Sequence, residues 1–275
     1  MPDSCRLVSD SGVAKAGKSA VDLFILGLLA GVCLSLVGAA SMMAAYTLLA
    51  NPETFGLGRL VMAVIFPCAL ILVVIAGSEL FTGNALMVLP LAQRRITTFS
   101  MLRNWSIVYV ANFVGAMGIA FLIVLSGQLN QAPGDLLGGV TVATAASKCN
   151  FLFYEAFLLG MFCNWLVCLA VWMAITAKDL ASKVLVIFFP ICVFMIAGFE
   201  HSIANMYFIP AGLFAAQFNP EFLEVARTLG APVEALTWRN FFVANLLPVT
   251  LGNIGGGGVC VAMAYWYVNR EGEKN

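Results

Sequence analysis

Six apolar runs, each long enough to cross a membrane, constrain this chain more than any other feature. A helix needs about 20 mostly apolar residues to span the hydrocarbon core of a bilayer. Such runs occur at residues 22–50, 60–90, 105–127, 151–177, 183–216 and 238–268. Charged residues make up 10% of the sequence, against roughly 25% in a soluble domain, and the mean hydropathy is +0.96. The sequence therefore predicts an all-α membrane protein with six transmembrane helices.

Several functions are excluded by residues that are rare or scattered. The formal net charge is zero, so nothing indicates a nucleic-acid partner. The eight cysteines lie mostly inside apolar runs without a CxxC pair, which favours packing over metal ligation or disulfides. One histidine in the whole chain leaves a haem or metal enzyme without its ligands. We expect no metal, no cofactor and no enzymatic activity.

The distribution of positive charge predicts the orientation. Residues 1–21 are polar and lead into a full-length apolar run, so they are interpreted as a cytoplasmic N-terminal segment and not as a signal peptide. With both termini cytoplasmic, ten of the 14 Lys and Arg residues face the cytoplasm. These ten are Arg6, Lys15, Lys18, Arg94, Arg95, Arg103, Lys178, Lys183, Arg270 and Lys274. Only Arg59, Lys148, Arg227 and Arg239 face the other side. By the positive-inside rule, this asymmetry supports cytoplasmic N- and C-termini. We expect a multi-pass protein of the cell (inner) membrane, in contact with lipid.

Two of the apolar runs contain related polar interruptions. AGSELFTGN (76–84) and AGFEHSIAN (197–205) align at an offset of 121 residues. The identical pairs are Ala76 and Ala197, Gly77 and Gly198, Glu79 and Glu200, and Asn84 and Asn205. Each stretch lies in the middle span of three, and unwound backbone at membrane depth must be satisfied by protein or by a water-lined cavity. The pattern predicts one transmembrane domain over 1–275 with inverted three-helix repeats at 22–127 and 151–268, whose broken helices meet near the midplane.

A third similarity links the ends of the two halves. YVANFVGAM (109–117) and TLGNIGGGG (250–258) each place an asparagine before small residues, which allow helices to approach closely. Four segments, AGSELFTGN, NWLVCLAVWM (164–173), AGFEHSIANMYFIP (197–210) and NLLPVTLGNIGGG (245–257), resemble signature segments of the formate/nitrite transporter family. The resemblance implies an aquaporin-like protomer with broken helices 2 and 5, its own pore, and assembly as a homopentamer. The chain has no NPA motif, which argues against an aquaporin proper.

His201 is the first candidate for a functional residue. An ionisable side chain at membrane depth is costly and usually marks an ion or proton pathway, and the unperturbed pKa of histidine, about 6.5, allows its charge to change near neutral pH. The resemblance implies that His201 faces the pore centre. Glu200 has a counterpart in Glu79, so both are expected to accept hydrogen bonds from amides freed at the helix breaks. Through Asn164, which the resemblance assigns to the same polar network, Glu200 is also expected to tune His201.

The resemblance implies further pore residues. Thr82 is expected to present its hydroxyl to His201, and Asn253 to line the pore. Lys148 lies in the connection 128–150. The resemblance implies that it lies at a pore vestibule, where its charge attracts anions. Two apolar constrictions that exclude water are implied on either side of His201. The cytoplasmic one comprises Leu70, Leu80 and Val167, and the opposite one comprises Phe66 and Phe194.

The resemblance implies passage of a small monovalent anion of a weak acid. Crossing two dry constrictions as a bare ion is costly, so we expect the substrate to cross with a proton, as the neutral acid or beside a protonated His201. Formate is the first choice, because NMYFIPAGLFAAQFNPEF (205–222) resembles the formate and hydrosulfide branches. Hydrosulfide and nitrite remain alternatives. A facilitator of water, glycerol or ammonia is a more distant one.

Overall fold

The computed structural model describes residues 2–270, and this part of the chain is helical without any strand. Six of its helices are long and apolar enough to cross a membrane, as predicted. They are Ala20–Leu49, Phe55–Ile75, Thr98–Leu125, Phe153–Thr176, Leu180–Ala197 and Trp238–Asn269, here called spans 1 to 6. With an even number of spans, the first and last described residues lie on one face, here called the N-terminal face.

Shorter helices complete the fold. They are Pro2–Ala16, Phe81–Asn84, Ala85–Met87, Val88–Ala92, Leu136–Lys148, Ser202–Phe218 and Pro220–Thr228. Spans 2 and 5 therefore end early, and each continues after a non-helical break as another helix in the same predicted run. This confirms broken helices 2 and 5 in an inverted repeat.

A left-handed glycine opens each break. Gly77 has a φ of 77° and Gly198 a φ of 76°, a conformation that glycine adopts without the steric cost a Cβ brings. Leu80 and His201 then take extended backbone before the next helix begins. The matching geometry shows that the two glycines perform the same local task.

Two boundaries differ from the sequence-based expectation. Span 3 begins at Thr98 instead of residue 105, because Thr97 and Ser100 form a capping box that satisfies free amides of the first turn. Arg103 lies inside this helix and donates to the carbonyl of Lys18 at 3.1 Å, so its charge does not end the helix. The connection before span 4 contains the helix Leu136–Lys148, so Lys148 is not a loop residue.

Small residues set the spacing of the outer spans in each half. A Cβ on Gly115 of span 3 would lie 2.3 Å from the carbonyl oxygen of Leu28 in span 1, and one on Gly256 of span 6 would lie 2.1 Å from that of Met161 in span 4. Backbones at this separation leave no room for a side chain. The two contacts occupy corresponding positions in the two halves.

The N-terminal segment forms a helix that packs on the N-terminal face. Cys5 and Val8 are buried in a cluster with residues of spans 4 and 6 and of the short helices that follow the first break, and Arg95 pairs with Asp10 at 2.7 Å. Lys274, used above to predict the orientation, lies outside the described residues.

Candidate pore and its central histidine

His201 begins the helix Ser202–Phe218 and is 4% exposed. Its Nδ1 accepts the amide N–H of Ala204 at 3.1 Å, and its Nε2 lies 2.9 Å from Oγ1 of Thr82. Because Nδ1 is an acceptor, the single proton of the neutral ring is on Nε2, which therefore donates to Thr82. The structure brings together the two residues that were expected to face each other.

A narrow apolar void adjoins the histidine. All five residues that were predicted for two separate constrictions line this single void, and its volume is only about 10 Å³, the least that can hold one water. The lining residues are Leu34, Phe66, Ala69, Leu70, Leu80, Val167, Ile191, Phe194 and His201. Leu34 and Ile191 were not predicted. In the sequence, their apolar side chains cannot be told apart from those that face lipid.

His201 also lines a wide cavity of about 580 Å³, here called the Lys148 vestibule. Phe194 lines both cavities, and its ring is 6.0 Å from that of Phe66, edge to face. Lys148 lines the vestibule as expected, with its ammonium 5.8 Å from the Phe208 ring centre. The vestibule and the narrow void therefore share Phe194 and His201 in their linings.

Lys148 is not a free cation, however. Its Nζ lies 2.6 Å from Oε1 of Glu200. Asn205 donates to Oε2 of Glu200 at 2.6 Å and to Oδ1 of Asn245 at 2.8 Å, and Asn245 donates to the carbonyl of Lys148 at 2.8 Å. These four residues form a closed polar network, here called the Lys148 network. Lys148 therefore enters the vestibule as one half of an ion pair, and its role in steering anions stays a prediction.

The other half contains the same network at the N-terminal face. Lys15 lies 2.7 Å from Oε2 of Glu79. Asn84 donates to Glu79 at 2.9 Å and to Asn104 at 2.8 Å, and Asn104 donates to the carbonyl of Lys15 at 3.2 Å. A second lysine, Lys18, lies 2.7 Å from Oε1 of the same carboxylate. These residues are here called the Lys15 network.

The equivalence of the two networks extends the repeat. Lys15 lies in the last turn of the helix Pro2–Ala16, and Lys148 is the last residue of the helix Leu136–Lys148. Each half therefore includes one helix before its first span, beyond the predicted bounds 22–127 and 151–268. The sequence does not predict that these two helices correspond, because the lysine is the network residue they have in common and the rest of their sequences differ.

At each break an asparagine, not the glutamate, accepts a backbone N–H through its side chain. Asn112 accepts the N–H of Phe81 at 3.0 Å and donates to the carbonyls of Gly27 and Glu79 at 2.7 and 3.0 Å. Asn253 makes the equivalent three bonds in the other half, at 2.9, 2.7 and 3.0 Å. The prediction that the two acidic side chains accept hydrogen bonds from backbone amides of the breaks is thus wrong. Their carboxylates bind lysine and asparagine side chains instead.

Asn253 and Asn164 are both used in the scaffold around the breaks. Asn253 is fully buried and makes the three bonds given above at the second break, and its pore-lining role stays a prediction. Asn164 donates to the carbonyls of Thr82 and Asn253, at 3.1 and 2.6 Å. It has no bond to Glu200 or His201 and reaches the histidine only by positioning Thr82.

No group of three or more His, Cys, Asp or Glu residues within 2–270 is arranged to hold a metal ion. The fold and site together define a multi-pass membrane protein of the channel and transporter class. Its features are six spans, two broken helices meeting at a buried histidine, and a vestibule that leads to a narrow apolar void.

Comparison with known proteins identifies the family. The family model described as "Formate/nitrite transporter" matches residues 2–267. The formate channel FocA of Haemophilus influenzae is 40% identical over 264 residues, covering 93% of this chain and 89% of the relative. FocA of Escherichia coli K12 is 38% identical, covering 96% and 92%. The chain belongs to the formate/nitrite transporter family, which comprises channels and transporters, not enzymes.

Solved structures agree with this assignment. A structure titled "Pentameric formate channel with formate bound" superposes with a TM-score of 0.78 at 35% identity, covering 90% of this chain and 97% of the other. A structure titled "FNT family ion channel" gives a TM-score of 0.81 at 28% identity, with 98% and 99% coverage. The likeness extends over both halves of the repeat.

Proposed function

We propose that this protein is a formate channel in which the anion crosses together with a proton at His201. The observation that carries the proposal is the buried pair of His201 Nε2 and Thr82 Oγ1, 2.9 Å apart, between a wide vestibule and a void of about 10 Å³. The formate channels among the relatives support formate over nitrite and hydrosulfide.

The narrow void sets the chemical requirement. A bare carboxylate entering an apolar passage without hydrogen-bond partners loses its hydration, at a cost far above what packing returns. Formic acid is neutral and avoids most of that cost. His201 offers one N–H donor in the lining of this void, next to the hydroxyl of Thr82, which can accept and donate.

The orientation of the ring defines the part that His201 plays. A second proton would have to enter on Nδ1, which already accepts the amide of Ala204, so the charged ring can form only if this helix cap opens. His201 therefore acts as a hydrogen-bond donor to the passing substrate. The proton travels with formate, supplied by water in the vestibule.

Assembly and orientation belong to the same proposal. The chain acts as one transmembrane unit with its own pore, within a homopentamer like the titled formate-channel structure. It lies in the cell (inner) membrane with both termini cytoplasmic, so the Lys148 vestibule opens to the outside. Mass measurement of the detergent-solubilised protein tests the pentamer.

A liposome flux panel tests the substrate. Purified protein is reconstituted, and uptake of formate, nitrite, hydrosulfide, acetate and glycerol is compared at several pH values from about 5 to 8. Formate uptake should exceed the others and rise as the external pH falls. Glycerol flux that equals formate flux, with no dependence on a proton gradient, would identify a neutral-solute facilitator instead.

Two variants test the histidine. His201→Gln retains an N–H donor near the position of Nε2 but cannot titrate, and His201→Leu introduces the residue found at the equivalent position, Leu80. We expect His201→Gln to keep pH-dependent formate uptake and His201→Leu to lose most of it. If His201→Gln folds and transports but shows no pH dependence, the proton resides on the histidine during transport, and the donor role is wrong.

A further inference from the structure

A second basic residue, Arg59, enters the Lys148 vestibule from span 2. Its side chain is half-buried and lines the cavity together with Lys148 and Glu200. The guanidinium packs directly on Gly198, where an added Cβ would lie 1.9 Å from one of its terminal nitrogens. It therefore lies at the break that leads to His201, only three residues further along the chain.

The guanidinium is available to a ligand. Its one aromatic contact is with the Phe55 ring, whose centre is 5.7 Å away. Within the described residues it has no hydrogen-bond acceptor and no ion pair, because the nearby carboxylate of Glu200, which interacts with it electrostatically, is paired with Lys148 at 2.6 Å. A guanidinium has five N–H donors in a planar fork, so most of its bonding capacity is unused by the protein.

Arg59 determines the net charge of the Lys148 vestibule. The residues that line the cavity include two cations, Arg59 and Lys148, and one anion, Glu200. Since Lys148 and Glu200 cancel, the net charge of +1 comes from Arg59. The walls include Met62, Phe151, Phe199 and Phe208, and a cation with apolar surroundings attracts anions more strongly than one in open water.

The two halves of the repeat differ at this point. Gly77 has the same backbone conformation as Gly198, yet an added Cβ there would meet nothing within 4 Å. The residue aligned with Arg59 at the offset of 121 is Leu180, which is exposed and apolar. Arg59 is therefore not needed to build a break. It is an addition to one mouth of the pore.

We propose that Arg59 is the anion-capture residue of the Lys148 vestibule and binds the carboxylate of incoming formate through two parallel N–H donors before it passes Phe194 to His201. The planar fork matches the spacing of two carboxylate oxygens. This inference rests on the proposed formate function and adds the residue that concentrates the substrate at the entrance.

Formate uptake into liposomes tests this role through two variants at Arg59. Initial rates are measured against formate concentration at about 0.01 M and 0.15 M ionic strength, where charges are screened over different distances. We expect Arg59→Gln to raise the KM for formate roughly tenfold at low ionic strength with Vmax nearly unchanged, and to weaken the dependence on ionic strength. Arg59→Lys should restore the dependence on ionic strength but leave an intermediate KM, because it keeps the charge without the fork.

A matched control removes the same charge elsewhere on the same face. Arg239, at the start of span 6, is exposed and does not line the cavity, so Arg239→Gln should behave as the wild type. Melting in detergent, measured for all variants, confirms folding. A wild-type KM and salt dependence in Arg59→Gln, with the wild-type protein transporting formate, overturn the capture role alone. A wild-type protein that transports no formate overturns the proposed function, and with it formate as the ligand of Arg59.

Discussion

Neutralising Lys148 tests whether this lysine compensates Glu200 or steers the substrate as a free cation. The pair is close, with Nζ and Oε1 2.6 Å apart, and the side chains are 18% and 4% exposed. Lys148→Gln leaves a buried carboxylate with only the donors of Asn205 and Asn245. Removing one partner of a buried ion pair costs about 3–5 kcal/mol. We expect a strongly lowered melting temperature and slow formate uptake, because the vestibule then has no net charge.

The double variant Lys148→Gln with Glu200→Gln distinguishes compensation of Glu200 from steering by Lys148. Replacing both partners is often close to neutral for stability, since no charge is left uncompensated and the two amides can bond to each other. The vestibule regains a net charge of +1 from Arg59, so uptake should recover together with the melting temperature. If steering by Lys148 were the main effect, the double variant would transport as poorly as the single one.

The other half supplies a matched control. Lys15→Gln removes the equivalent lysine, yet Lys18 still lies 2.7 Å from Glu79. The cost should therefore be only about 1 kcal/mol, in the range of a partly exposed pair. Melting curves of the three variants in one detergent, with uptake measured in liposomes, provide both readouts. A Lys15→Gln variant as unstable as Lys148→Gln would refute this account of the two networks.

Two further pairs of substitutions give separate tests. Thr82→Val leaves the Nε2–H of His201 without a partner, at a cost of about 1–3 kcal/mol, and should lower both the melting temperature and the formate flux. Thr82→Ser keeps the hydroxyl and should retain both. Equal behaviour of the two variants would contradict the hydrogen bond. Gly198→Ala and Gly77→Ala should each cost about 1–2 kcal/mol for the left-handed backbone, but only Gly198→Ala displaces Arg59 and should raise the KM for formate. A similar KM in both alanine variants would show that the guanidinium does not act at this break.

The sequence predicts those parts of the fold that depend directly on burial in the membrane. Six spans follow from the length of the apolar runs, and the two breaks follow from a Gly and a Glu placed where lipid would tolerate neither. Span 3 was predicted to begin late because hydropathy treats Arg103 as a boundary. In the structure this arginine finds a carbonyl acceptor in the N-terminal segment.

The site was predicted less completely, for a physical reason. Alignment of the breaks paired Glu79 with Glu200, but their lysine partners lie 64 and 52 residues away along the chain, at an offset different from that of the breaks. Asn104 and Asn245 were overlooked although amides buried in a membrane follow the same rule as charges. Arg59 was counted only toward orientation, since nothing in sequence shows that its guanidinium reaches Gly198.

The two networks differ in how many cations hold the carboxylate. Glu79 pairs with both Lys15 and Lys18, whose side chains are 24% and 32% exposed. Glu200 pairs with Lys148, which is 18% exposed and whose helix packs on Ser202–Phe218. With two cations at Glu79, one ion pair can open while the other still compensates the carboxylate, whereas opening the Lys148 pair removes the ion pair of Glu200 found within the described residues. The lysine contacts can therefore rearrange at lower cost at the N-terminal face than at the vestibule.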